Sequence, residues 1–124
     1  MVTIVDDDAD IRASLRFLLE SEGIEVEDFA SGPLLMAAAW PPLAGCLILD
    51  VNMPEMSGLD VLDRLRATKS ALPVIVVTGQ PNATNRARAL SAGALAVLEK
   101  PLNDDRFLDL VRKALDQDSR PSGA

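Results

Sequence analysis

Carboxylates, a hydroxyl and an ammonium group stand directly after short apolar runs in this sequence. Asp6-Asp7-Asp8 follows Val2 to Val5, Asp50 follows Cys46 to Leu49, Thr78-Gly79 follows Val74 to Val77, and Glu99-Lys100-Pro101 follows Leu95 to Leu98. Each signal is weak by itself: an acidic triplet is most often a solvated loop or a helix cap, and Thr-Gly is an ordinary strand exit. If the runs are parallel strands of one sheet, however, their carboxyl ends share the edge at which open α/β sheets hold ligands. Clustered carboxylates repel one another, and Lys100 alone cannot neutralise Asp6, Asp7 and Asp50, so a divalent cation is implied. With hard oxygen donors the choice is Mg²⁺, Mn²⁺ or Ca²⁺. Mg²⁺ held by one or two carboxylates and completed by water and phosphate oxygens suits phosphoryl chemistry, with Lys and Thr beside it. In such chemistry an Asp can itself be the nucleophile and form an aspartyl phosphate.

Composition narrows the field further. The sequence has no His, which removes Ser-His and Cys-His nucleophilic machinery, His-ligated zinc and a phosphohistidine on this chain. Cys46 is the single Cys and has no CxxC partner, so no internal disulfide is expected, in keeping with a reducing cytoplasm. Twelve Lys+Arg against nineteen Asp+Glu give a net charge of −7, which disfavours direct nucleic-acid binding. The length of 124 residues fits one domain. No apolar run approaches the ~18 residues of a membrane span, and Met1-Val2-Thr3-Ile4-Val5 lacks the basic start of a secretory signal.

The elements that must position these residues can be read from periodicity. Val2 to Val5, Cys46 to Leu49, Val74 to Val77 and Leu95 to Leu98 lack alternation and read as strands buried on both faces, whereas Ile24 to Phe29 alternates and suits a sheet edge. Ile11, Leu15, Leu18 and Leu19 make one helical stripe, with Asp8 placed to cap its start and Gly23 its end. Pro33 to Trp40 is a poorer helix halted by Pro41-Pro42, and Ser57 could cap a third whose Leu59, Leu62 and Leu65 share one side. A fourth runs from about Pro81 to Ala92. A fifth starts after Asn103, with Phe107, Val111, Ala114 and Leu115 at helical spacing. Five β-then-α units predict an α/β domain over residues 1–116 with a mostly parallel sheet covered on both faces. The composition from Asp116 to Ala124 is that of a linker, so residues 117–124 are expected to form a flexible tail.

Ile4-Val5-Asp6-Asp7-Asp8, Leu47-Ile48-Leu49-Asp50-Val51-Asn52-Met53-Pro54-Glu55-Met56-Ser57-Gly58, Val76-Val77-Thr78-Gly79, Ala92-Gly93-Ala94 and Glu99-Lys100-Pro101 together resemble the receiver domain of two-component response regulators, most closely its FixJ-type subgroup. The resemblance covers Val2 to about Leu115. It implies a flavodoxin-like (βα)5 three-layer sandwich whose five-stranded parallel sheet has the order 2-1-3-4-5. It implies that Asp50 accepts a phosphoryl group from a sensor histidine kinase, that Asp6, Asp7, Asp50 and the Asn52 backbone carbonyl hold Mg²⁺ (or Mn²⁺ in its place), with Asp7 the direct ligand of the acidic pair, that Lys100 pairs with a phosphoryl oxygen, and that Thr78 is a switch hydroxyl. Asp8 is then only a cap, Met53-Pro54 and Gly58 form the turn after the acceptor, and Lys100-Pro101 is a candidate cis bond.

The same resemblance implies a signalling acceptor rather than an enzyme, with slow self-phosphorylation from small donors and self-dephosphorylation. Its partners would be the kinase and an output domain or downstream protein, with no nucleic acid or membrane contact of its own, in a cytoplasmic monomer or phosphorylation-dependent dimer. Asn52 and Gln80 occupy positions that tune dephosphorylation in the family, and Val97 stands where the family usually carries an aromatic switch residue. Two other readings remain at this point. A haloacid dehalogenase-type phosphatase also uses a strand-end Asp and Mg²⁺, although it needs an Asp where Asn52 stands and its nucleophile tends to follow the first strand. A pseudo-receiver would keep the pocket without using it.

Overall fold

The apolar runs form five parallel strands, each followed by a helix, in a computed structural model that describes residues 1–118. The elements are β1 (Val2–Val5), α1 (Ala9–Ser21), β2 (Val26–Phe29), α2 (Gly32–Ala38), β3 (Cys46–Asp50), α3 (Gly58–Ala67), β4 (Val74–Thr78), α4 (Ala83–Ser91), β5 (Ala96–Glu99) and α5 (Asp104–Asp118). The sheet order is β2-β1-β3-β4-β5, the flavodoxin-like order expected. Among the described residues no helix is long and apolar enough to cross a membrane.

Two cores flank the sheet, because successive strand side chains point to opposite faces. Val5, Leu47, Leu49, Val74 and Val76 meet Leu35 of α2, Leu59, Leu62 and Leu65 of α3, and Ala89 of α4. On the other face Val2, Ile4, Ile48, Ile75 and Val77 pack against Leu15 and Leu19 of α1 and Phe107, Val111 and Ala114 of α5. A strand buried on both faces is mostly apolar, which is why β1, β3 and β4 are built mainly of Val, Ile and Leu, with Thr3 inside β1 and Asp50 and Thr78 at the ends of β3 and β4 as their buried polar members.

Several boundaries differ from the periodicity. The Leu95 to Leu98 run is not buried on both faces: β5 is the second edge strand, with Ala96 and Val97 partly covered and Glu99 exposed. An apolar run of that length does not by itself distinguish an edge from a centre. α2 starts at Gly32 because the Ser31 hydroxyl accepts the Leu34 N–H, and it ends at Ala38, short of Trp40. α4 starts at Ala83, not Pro81, because Asn82 caps it by accepting from the Asn85 N–H. α5 reaches Asp118, so the first two residues of the expected tail are helical. Nothing in Asp116, Gln117 or Asp118 breaks a helix, and polar composition alone does not end one. The remainder of that expectation lies outside the described residues.

Candidate functional site

The strand order reverses between β1 and β3, and Asp6 and Asp50 sit at the carboxyl ends of these two strands. Adjacent register carries the acids to one edge, Val5 pairing with Leu49 and Asp50 with Val77. One carboxylate oxygen each from Asp6, Asp7 and Asp50 lies within 4.8 Å of the others. Lys100 enters from the end of β5, its Nζ 2.9 Å from Asp6 Oδ2 and 3.3 Å from Asp50 Oδ1. Its main-chain N–H donates to the Thr78 carbonyl at 2.8 Å, which fixes where the side chain begins. The expected convergence of Asp6, Asp7, Asp50 and Lys100 is therefore present.

The acids differ in environment. Asp6 and Asp50 are 1% and 3% exposed, whereas Asp7 is exposed and has no hydrogen bond or ion pair among the described residues. Burial and the neighbouring Asp6 charge push the Asp50 carboxyl up from 3.8 to about 6, against the opposing pull of Lys100 and the Asn52 N–H. Burial alone would lower the Lys100 pKa, but its hydrogen bond to Asp6 and the charges of Asp50 and Asp6 outweigh it and leave the ammonium raised. One cation thus faces three carboxylates, an arrangement with a deficit of positive charge. The donor set fits a hard divalent cation: oxygens only, one acid unengaged, and an Asn52 carbonyl that accepts no hydrogen bond among the described residues.

Asp8 is the cap expected, accepting from the N–H groups of Asp10 and Ile11. Ser57 and Asp60 form a reciprocal capping box at the start of α3. Thr78 is 2% exposed, and its hydroxyl accepts the Gln80 N–H at 3.0 Å; it makes no hydrogen bond to Asp50 or the Lys100 side chain among the described residues. The Asn52 amide donates to Gln80 Oε1 at 3.3 Å, linking the loops after β3 and β4. The Lys100–Pro101 bond is cis, as the resemblance implies, and so is Trp40–Pro41.

Val97 borders a cavity of about 270 Å³ whose walls include Val51, Val76, Thr78, Pro81 and Ala83. A larger side chain at this position has room. Val97→Phe is expected to change the unfolding free energy by less than about 1 kcal/mol in a urea melt, where overpacking a filled interior costs about 1–3 kcal/mol. A loss in the larger range would mean that the ring does not enter the cavity.

Two structural cations escaped the sequence reading. Arg66 of α3 donates to the carbonyls of Ala92 at 2.7 Å, Gly93 at 3.2 Å, Ser70 at 3.1 Å and Leu72 at 2.9 Å, and burial lowers its pKa. Arg12 of α1 donates to the Asp6 carbonyl at 2.7 Å and to Asp28 at 3.2 Å. Both stand on the polar sides of their helices, where an Arg is usually solvated, and their partners lie in loops or on another strand. No local signal could have found them.

Fold and site define an α/β domain with an acidic, cation-ready pocket at the point where its strand order turns. The chain matches the family model of the response regulator receiver domain over residues 2–112. It is 35% identical over 116 residues to the transcriptional regulatory protein FixJ of Bradyrhizobium diazoefficiens, covering 94% of this chain and 57% of that protein. It is 44% identical over 117 residues to the C4-dicarboxylate transport transcriptional regulatory protein DctR of Rhodobacter capsulatus, covering 92% and 59%. Among solved structures, a CheY-like receiver domain protein from Methanospirillum hungatei JF-1 superposes with a TM-score of 0.87 at 32% identity and covers 94% of each chain. Full-length FixJ from B. japonicum gives 0.86 at 35% identity, covering 95% of this chain and 58% of that one. This chain belongs to the response regulator receiver domain family, and it spans a little over half the length of those two curated relatives.

Proposed function

We propose that the chain takes a phosphoryl group onto Asp50 from a phosphohistidine of a sensor kinase and that the resulting change governs an output domain or a downstream protein. The observation that carries this reading is a buried Asp50 carboxylate flanked by Asp6, Asp7 and Lys100 at the switch point of the sheet. In the transfer an Asp50 oxygen attacks phosphorus, the phosphorus–nitrogen bond to the donor imidazole breaks, and the imidazole nitrogen keeps the bonding electron pair. Asp7 and Asp50, with Asp6 behind them and the Asn52 carbonyl alongside, would hold Mg²⁺, which supplies neutralisation of the phosphoryl oxygens. Lys100, within 3.3 Å of Asp50 Oδ1, would pair with a phosphoryl oxygen once Asp50 has become an acyl phosphate. Thr78 is one strand away, and its hydroxyl must exchange its bond with the Gln80 N–H to reach the phosphoryl group. Slow transfer from small phosphodonors and slow hydrolysis of the product follow from the same groups, and a single Cys46 buried in β3 is in keeping with a cytoplasmic setting.

The test is intact-mass measurement after incubation with a small acyl phosphate or phosphoramidate and Mg²⁺. One added phosphoryl group, labile to hydroxylamine as an acyl phosphate is, is the expected product. No mass gain under any phosphodonor would favour the pseudo-receiver reading.

Proton competition gives a second check. Asp50 is pushed up to about 6 in the metal-free protein, and it binds a cation only as the carboxylate. The apparent Mg²⁺ dissociation constant is therefore expected to rise by up to about tenfold per pH unit below about pH 6 and to level off above about pH 7. Calorimetric titration across that range measures it, and a constant value throughout would place the ion away from Asp50.

A further inference from the structure

Every main-chain and side-chain polar atom of Asp6 is engaged. Its N–H donates to the Phe29 carbonyl at 3.2 Å, its Oδ1 accepts the Asp8 N–H at 2.9 Å, its Oδ2 accepts from Lys100 at 2.9 Å, and its carbonyl accepts from Arg12 Nη1 at 2.7 Å. Three of these partners come from the neighbouring strand, the adjoining loop and the β5 end. Arg12 is different, because it reaches back from the first turn of α1 and is itself held through Nε by Asp28 at 3.2 Å. Its side chain is only 19% exposed. Asp28 lies on β2 and also receives Arg16 Nη1 at 2.6 Å. Beside this fully tied residue, Asp7 has no partner among the described residues.

We propose that Arg12 is a positioning residue of the acidic pocket: by clamping the Asp6 carbonyl against Asp28 it fixes the β1–α1 loop so that Asp6 stays on Lys100 while Asp7 is presented to the cation. The inference rests on reading Asp6, Asp7 and Asp50 as cation ligands. A guanidinium can do this where an ammonium does not, since its forked donors serve the carbonyl and the carboxylate at once. Groups that orient metal ligands without touching the ion commonly affect metal affinity by tenfold or more.

Charge and positioning predict opposite signs. Removing a cation near an acidic pocket by itself strengthens binding of another cation. Arg16 provides the matched control, because it shares Asp28 but does not reach the Asp6 carbonyl. Arg12→Met is expected to weaken Mg²⁺ binding about tenfold, whereas Arg16→Met leaves it unchanged or slightly tighter. Affinity in Arg12→Met that is unchanged or tighter would overturn the proposal. If that variant does not fold, Arg12→Gln carries the same comparison with the same decision on sign.

A readout without metal separates this inference from the reading beneath it. In the metal-free protein the Asp8 N–H, bonded to Asp6 Oδ1, is expected to exchange with solvent deuterium about tenfold faster in Arg12→Met than in the wild type or Arg16→Met, while Leu47 and Leu49 in β3 are unaffected. If the wild-type protein binds no Mg²⁺ the cation-ligand reading fails, and this exchange rate alone then decides whether Arg12 fixes the loop: acceleration supports it, and an unchanged Asp8 overturns it.

Discussion

Asp50→Asn is expected to abolish phosphoryl uptake outright, because an uncharged amide lacks the nucleophilicity of a carboxylate oxygen, and no other group occupies the same place at the end of β3. The measurement is the phosphoryl mass gain described above. Persistence of the label on Asp6 or Asp7 would move the acceptor to another member of the cluster. The same substitution is expected to stabilise the metal-free fold. Asp50 is raised from 3.8 to about 6, first by burial and then by Asp6, so the folded state binds its proton more tightly than the unfolded chain. Wild-type stability is therefore highest below the unfolded value and falls as pH rises from about 4 through about 6. The full shift corresponds to about 3 kcal/mol, and screening at the open mouth of the pocket reduces this to about 1–2 kcal/mol at neutral pH. Urea melts should show that Asp50→Asn removes this fall. Saturating Mg²⁺ should restore much of the wild-type loss, by about 2.7 kcal/mol at a hundred times its dissociation constant.

Gly58→Ala is expected to damage fold and site together. A Cβ at Gly58 would lie 2.1 Å from the Asp50 carbonyl oxygen, 2.8 Å from its carbon and 3.3 Å from Val51 Cα. All three are main-chain atoms, and the Gly58 N–H donates to the Val51 carbonyl at 3.1 Å, so relief requires the start of α3 to move off the end of β3. Overpacking of this kind costs about 1–3 kcal/mol or more, and the helix preference of Ala returns up to about 1 kcal/mol. A net loss of about 2 kcal/mol in a urea melt is the expected outcome, with slower phosphoryl uptake because the displaced carbonyl belongs to Asp50 itself. Gly79→Ala is the control, since no atom lies within 4 Å of its added Cβ and its φ is not left-handed. Its stability should change by less than about 0.5 kcal/mol. Equal losses in the two variants would show that close approach at Gly58 is not what matters.

Much of the site was legible because burial and chemistry coincide in the sequence. An apolar run such as Cys46 to Leu49 marks a strand, and the acid that ends it then lies at the carboxyl edge of the sheet. The capping residues Asp8 and Ser57 were legible for a related reason, since each acts within its own turn; Asn103 was read only as the residue before α5, and it too acts locally, accepting the Arg106 N–H at 3.0 Å. The order of the strands came from family resemblance, since periodicity says nothing about which strand lies beside which. What could not be read was every contact made across the fold. Arg12 and Arg16 are one turn apart on α1, and only the pairing of β1 with β2 brings Asp28 to both of them. The edge position of β5 was illegible for the same reason, because Ala96 and Val97 would look identical in a central strand.

The bonds of Arg66 to Ala92 and Gly93 bolt down the exit of α4, while the body of that helix contributes only Ala89 to the buried core. Its remaining ties to α3 are the exposed ion pairs of Arg88 with Asp60 and Asp63, at 3.0 and 2.5 Å, and contacts of this type contribute little. α4 is therefore a lever with its pivot at the far end and its free end beside Thr78. A shift of that free end is largest at Ala83 and falls off along an arm about 13 Å long, at 1.5 Å per residue, so it would move a mostly polar outer surface while the buried Ala89, close to the pivot, moves least.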